Sequence, residues 1–166
     1  MNNVRKMVFT ALLISLSIVI PLTFGFLVIQ IGPFTATLAS HIPMFLSMFL
    51  GSLSSAMVGI GSGFGFFITK GVYVGARAFM HSIVGACGAY LIKREVPYAK
   101  VVIGTSFLHG ILEALVVIPF GITFKSILIT VGLGTILHHL VDGFLAYGFI
   151  KVFAKVLNLQ LIKNNL

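Results

Sequence analysis

The chain has no tryptophan, a single cysteine and only three acidic residues among 166, against eleven Lys and Arg. One cysteine, Cys87, excludes an internal disulfide framework, and it reads as a small packing residue within an apolar run. The shortage of charge excludes more. Charged residues make up 8% of the chain, where a soluble domain normally carries about 25%. From Met7 to Thr69 there is no Asp, Glu, Lys or Arg at all. With 58% hydrophobic residues and a mean hydropathy of +1.14, the chain cannot cover itself with a polar surface and reads as an integral membrane protein.

Several motifs are missing as well. There is no Gly-x-x-x-x-Gly-Lys-Ser/Thr phosphate loop, no His-Glu-x-x-His and no arrangement of nucleophile and base, so the chain is not expected to be an enzyme or to need a cofactor. The Gly-x-Gly pattern in GIGSGFGFFITK (59–70) follows no strand, and no acidic residue comes about 20 positions later. Its glycines instead make small-xxx-small ridges for close helix packing. Alternation of apolar and polar residues at period two, the mark of a membrane β-barrel, is absent. Arg5-Lys6 before an apolar stretch imitates a signal peptide, but no soluble mature domain follows it.

Glycine, proline and charge divide what remains. Breaks at Pro21, Gly32-Pro33, GSLSS (51–55), Lys70-Gly71, KREVPYAK (93–100) and Lys125 predict six transmembrane helices near 5–20, 35–50, 55–69, 72–92, 101–120 and 127–150, in one transmembrane domain over 1–166. Residues 21–34 are expected to form an apolar connection that lies in or re-enters the membrane surface. The expected fold is thus an all-α six-helix bundle. With the N-terminus cytoplasmic, Arg5, Lys6, Lys93, Arg94, Lys100, Lys151, Lys155 and Lys163 fall inside, and only Lys70 and Lys125 fall outside. Both termini are therefore expected inside. The cations are spread over three segments and form no stripe for nucleic acid.

Against this background the polar residues inside the spans stand out. They are His41, Arg77 with His81, His109 with Glu113, and His138 and His139 with Asp142. Spacing of i, i+4 in Arg77/His81, His109/Glu113 and His138/Asp142 stacks the two members of each pair on one helix face. A charged side chain at the middle of a membrane helix costs roughly 2.5–3.5 kcal/mol. At a rise of about 1.5 Å per residue, Arg77 lies roughly 8 Å, Glu113 roughly 11 Å, His81 roughly 14 Å and His138 roughly 17 Å from the outer ends of their helices. Spans four to six can therefore aim these groups at one pocket in the outer half. Arg77 and Glu113 can simply pair to hold the bundle together; a guanidinium at the outer mouth also suits a carboxylate ligand. His109-x-x-x-Glu113 and His138-His139-x-x-Asp142 could alternatively chelate a transition metal, as in a metal permease or membrane enzyme, although Arg77 nearby opposes a cation.

The whole pattern resembles the substrate-binding S components of the energy-coupling factor (ECF) vitamin transporters. GPFTATLASHIPMFLSMFLG (32–51) and RAFMHSIVGACGAYLIK (77–93) are similar to the niacin-specific members. The resemblance implies a prokaryotic plasma-membrane subunit that captures a vitamin outside. It then joins a transmembrane coupling protein and two ATPases, and topples to release the vitamin. It implies an Ala-x-x-x-Ala docking patch on the first helix, met here by Ala11 and Ser15, where serine departs from the pattern but stays small. It also implies a pocket built from helices four to six and covered by the first loop. On that basis Arg77 meets the substrate carboxylate; His81, Glu113 and His138 bond the ring or orient Arg77; Tyr73 and Phe34 form apolar walls; and His41 completes the set. Another vitamin or an aromatic solute could use the same anchor.

Overall fold

The computed structural model describes residues 2–157, so Lys163 lies outside them. Helix α1 (Asn3–Thr23) starts at Asn2, whose side chain accepts the Arg5 N–H at 2.9 Å. The break expected at Pro21 does not occur there. Pro21 lies inside the last turn, where its missing N–H withdraws one bond from the ladder without ending the helix, and α1 ends two residues later.

The expected helix over 35–50 is replaced by three short pieces. Strands β1 (Val28–Ile31) and β2 (Phe34–Thr37) pair antiparallel with Ile31 opposite Phe34, a turn follows, and helix α2 covers only Ile42–Met48. The hairpin is a small departure from an all-α chain. β2 buries Phe34, Ala36 and Thr37, whereas Ile29, Gln30 and Ile31 of β1 are exposed. α2 is about 10 Å long, too short to cross a bilayer. Its sequence IPMFLSM is apolar on every face, and every residue from 41 to 50 is buried. Ser47, its polar member, donates to Met44 O at 2.6 Å and meets Ser55 Oγ at 2.9 Å.

Helix α3 (Ser52–Phe79) is interrupted at Gly71, whose φ of 82° is open to glycine and costly for other residues. There the chain turns back on itself. A side chain at Gly59 would strike the Ser82 backbone, one at Gly63 the Phe79 ring, and one at Gly75 the Phe67 backbone. The glycine ridge is thus the seam along which the two limbs touch. The second limb continues as α4 (His81–Lys93) after a break at Met80. Helix α5 (Tyr98–Val116) follows, and a wide π-helical stretch, Ser126–Leu133, leads into α6 (Gly134–Leu157).

Four helical stretches among the described residues are long and apolar enough to cross a membrane: Asn3–Thr23, Ser52–Lys93, Tyr98–Val116 and Ser126–Phe153. The second is the one folded back at Gly71. Large apolar side chains point outward from them, among them Phe64, Ile68, Phe107 and Phe144, as a hydrocarbon surrounding requires. The rings of Phe9 and Phe153 lie 5.7 Å apart, so the start of α1 and the end of α6 share one end of the bundle. A Cβ at Gly25 would lie 3.6 Å from Lys70 Nζ, which puts the end of α1 and the Gly71 turn together at the opposite end.

Candidate functional site

A buried polar cluster lies between the Gly71 end and the middle of the bundle. Arg77, on the second limb of α3, is 3% exposed. Its Nε and Nη2 donate to Glu113 Oε2 at 2.9 and 2.7 Å, and its Nη1 and Nη2 reach Oγ1 and the carbonyl of Thr35 at 3.2 and 3.4 Å. The guanidinium also sits 5.4 Å from the Phe34 ring centre and 5.8 Å from that of Tyr73, within reach of their negative faces. Thr135 donates to the same Glu113 oxygen. Four of the five N–H groups of Arg77 are thereby used, and its charge is neutralised where water is scarce.

All five histidines gather around the start of α2. Ring centres of His81, His109, His138 and His139 lie 4.7, 5.0, 4.5 and 5.5 Å from that of His41. Asp142 on α6 holds the connection into α2: its carboxylate accepts the N–H of Ala39 at 2.8 Å, the N–H of His41 at 3.1 Å and His41 Nδ1 at 2.9 Å. Ala39 takes an unfavourable φ of 69°, and these bonds fix it. His138 Nε2 lies 3.2 Å from both Asp142 Oδ2 and the Thr37 carbonyl. His41 Nε2 meets His81 Nε2 at 3.1 Å, and His81 Nδ1 meets Ser62 Oγ at 2.9 Å.

These groups line a cavity walled by Thr35, Thr37, His41, Arg77, His81, Glu113 and His138. Its free volume is about 20 Å³, room for roughly one water. The hairpin closes it. Tyr73 donates to the Pro33 carbonyl at 2.9 Å, and the Phe34 ring is seated on Gly134, where a Cβ would lie 2.9 to 3.1 Å from it.

The niacin transporter NiaX of Lactococcus lactis subsp. cremoris (strain MG1363) is 36% identical to this chain over 170 aligned positions, covering 92% of this chain and 76% of the relative. The chain belongs to that family, the niacin-type S components of ECF vitamin transporters. No family model matches the chain, and no solved structure does.

In this S component, Arg77, His81, Glu113, His138 and His41, singled out from the sequence, all line one cavity, and Tyr73 and Phe34 contact Arg77 from its edge. Ala11 and Ser15 lie elsewhere, exposed on α1 with Ser15 Oγ donating to Ala11 O at 3.0 Å. Sequence reasoning missed Thr35, Thr37, Ser62 and Thr135. Hydroxyls are common in membrane helices, and nothing local distinguishes these four. Three trios of possible metal donors, His41 with His109 and His139, His41 with His138 and Asp142, and His81 with His109 and Glu113, have their atoms within 4.8 Å of one another. His41 Nε2 is already paired with His81 Nε2 and His109 Nδ1 with His139 Nδ1, His41 Nδ1 is held by Asp142, and Arg77 in the same cavity disfavours a dication.

Proposed function

We propose that this S component captures nicotinic acid outside a prokaryotic plasma membrane and hands it to a partner coupling protein driven by two ATPase subunits. The observation that carries the substrate is the single buried guanidinium on the cavity wall, in a chain 36% identical to a niacin transporter. Nicotinic acid is a small flat ring with one carboxylate. A guanidinium can hold that carboxylate through two parallel hydrogen bonds, with Phe34 and Tyr73 against the ring and the imidazoles near its nitrogen.

Orientation follows from charge. Lys6, Lys93, Arg94, Lys100 and Lys151 cluster toward the end where α1 starts and α6 ends, which is therefore cytoplasmic. The cavity and the β1–β2 hairpin then face outward. A cavity of about 20 Å³ is too small for a vitamin, so the hairpin lifts as the ligand enters, exchanging its contacts at Arg77, Tyr73, His138 and Gly134 for contacts with the ring. Ala11 and Ser15, small and exposed on α1, form the face offered to the coupling protein.

Titration calorimetry on the detergent-purified chain tests the substrate. Nicotinic acid is expected to bind tightly and nicotinamide more weakly. Absence of heat with both compounds rejects niacin, and a panel of other carboxylated vitamins then identifies the ligand.

A further inference from the structure

Away from the polar cavity, a second opening lies on the surface of the bundle between α5 and α6. It is walled by Pro97, Tyr98, Ile103, Leu140, Phe144 and Tyr147 and has a free volume of about 410 Å³. On α6 the wall residues fall at 140, 143, 144 and 147, one helical stripe about 10 Å long. Gly143 lets the two helices come together at the floor, where a Cβ would strike the Val102 side chain. Tyr98 is buried and donates to the Gly143 carbonyl at 2.9 Å, and its ring is stacked on that of Tyr147 with centres 6.3 Å apart. Ile103 and Phe144 stand exposed on the two sides, so the opening is a fixed apolar groove on the surface that faces lipid.

One end of this groove is charged. Both helices reach the bilayer edge there: the spanning stretch of α5 begins at Tyr98, and that of α6 ends at Phe153. Lys151 continues the α6 stripe one turn past Tyr147, and its Nζ lies 4.4 Å from the Tyr147 ring centre, at the mouth of the groove. Lys100 is exposed in the first turn of α5, and Lys93 and Arg94 close α4 just before Pro97. These cations, with Glu95 beside Arg94, surround an apolar slot at the depth where phosphate headgroups lie. A partner helix seated in the slot would have to desolvate Lys100 and Lys151 against its own apolar flank, which is costly. A phospholipid supplies both halves, an alkyl chain for the slot and a phosphate for the lysines.

We propose that the α5–α6 groove binds one anionic phospholipid, with an acyl chain along Ile103, Leu140 and Phe144 and the phosphate between Lys100 and Lys151. A zwitterionic lipid fits the slot equally well but brings its own cation to the lysines, so selection is by headgroup charge. Tyr98 and Tyr147 stand at the level where aromatic rings favour the membrane interface. The site does not depend on which vitamin the chain carries. In the orientation proposed above, the lipid belongs to the cytoplasmic leaflet.

The chain has no tryptophan, so one introduced indole reports its own surroundings. Phe144→Trp places it in the groove, and Leu12→Trp, exposed on α1, is the control; both positions lie about 14 Å from the same end of the bundle. The full chain is reconstituted in phosphatidylcholine vesicles that contain either brominated phosphatidylglycerol or brominated phosphatidylcholine, whose bromines quench indole on contact. At Phe144→Trp the anionic lipid is expected to be favoured on the order of fivefold, and at Leu12→Trp not at all. Adding Lys100→Gln and Lys151→Gln to Phe144→Trp is expected to remove the preference, whereas Lys100→Arg with Lys151→Arg is expected to keep it. Equal quenching by the two lipids at Phe144→Trp overturns the inference, because the groove then takes any acyl chain. The same preference at Leu12→Trp also overturns it, since the whole positive end then gathers anionic lipid, as does a preference that survives loss of both lysines. No quenching by either lipid at Phe144→Trp overturns it too, because the groove is then filled by protein, such as a second copy of the chain.

Discussion

Arg77 and Glu113 meet through one carboxylate oxygen: Nε and Nη2 of the arginine converge on Glu113 Oε2, and Oε1 is turned toward His109. This geometry neutralises a charge that a membrane helix cannot carry alone. It also leaves the guanidinium able to exchange one carboxylate for another.

Replacement of Arg77 separates its two roles. Arg77→Lys supplies a point charge that cannot reach both Glu113 and Thr35, and nicotinic acid affinity is expected to fall about ten- to hundredfold, or about 1.4–2.8 kcal/mol. Arg77→Ala strands the Glu113 carboxylate and is expected to cost about 3–5 kcal/mol of stability. Thermal unfolding in detergent should show partial recovery in the double variant Arg77→Ala, Glu113→Ala. A double variant no more stable than Arg77→Ala would show that the stranded carboxylate is not the cause.

Asp142 is expected to act at a distance from the ligand. Asp142→Asn replaces a charged acceptor with one carbonyl and one NH₂, so the bonds to Ala39 and His41 cannot all persist. A loss of about 1.5–3 kcal/mol in unfolding stability is predicted, with weaker nicotinic acid binding as His41 loses its position. An unchanged melting temperature would show that Asp142 does not hold the 38–41 connection.

The glycine seam gives a paired test. Gly59→Ala forces a methyl group into the Ser82 backbone, whereas a Cβ at Gly104 on α5 meets nothing within 4 Å. Gly59→Ala is expected to lower the melting temperature. Gly104→Ala is expected to hold or raise it, by up to about 1 kcal/mol of helix preference. Equal behaviour of the two variants would contradict the close approach of the α3 limbs.

The docking face proposed on α1 gives a test that separates binding from uptake. Ala11→Trp and Ser15→Trp change exposed positions and are expected to leave nicotinic acid affinity unchanged in purified protein. Uptake of labelled nicotinic acid by cells is expected to be lost. Normal uptake in both variants would remove this face from the docking surface.

Much of the candidate site was legible because ionisable residues are conspicuous in an apolar chain. Arg77, His81, Glu113 and His138 announce themselves by cost alone, and i, i+4 spacing places them on shared faces. Their hydroxyl partners do not. Thr35, Thr37 and Thr135 carry no penalty that would flag them, and the bond from Ala39 to Asp142 spans 103 residues, beyond any local pattern. The Gly71 turn was visible as Lys70-Gly71. The shortness of α2 was not, because an apolar run reads alike whether it forms a spanning helix or a strand, a turn and a buried helix.

A structure of the chain with nicotinic acid bound tests the central claim most directly. The substrate carboxylate is predicted within hydrogen-bond distance of the Arg77 guanidinium, with the β1–β2 hairpin displaced from its present contacts and the ring beside Phe34 and Tyr73. A ligand found elsewhere, with Arg77 still held by Glu113 and Thr35 as it is here, would contradict it.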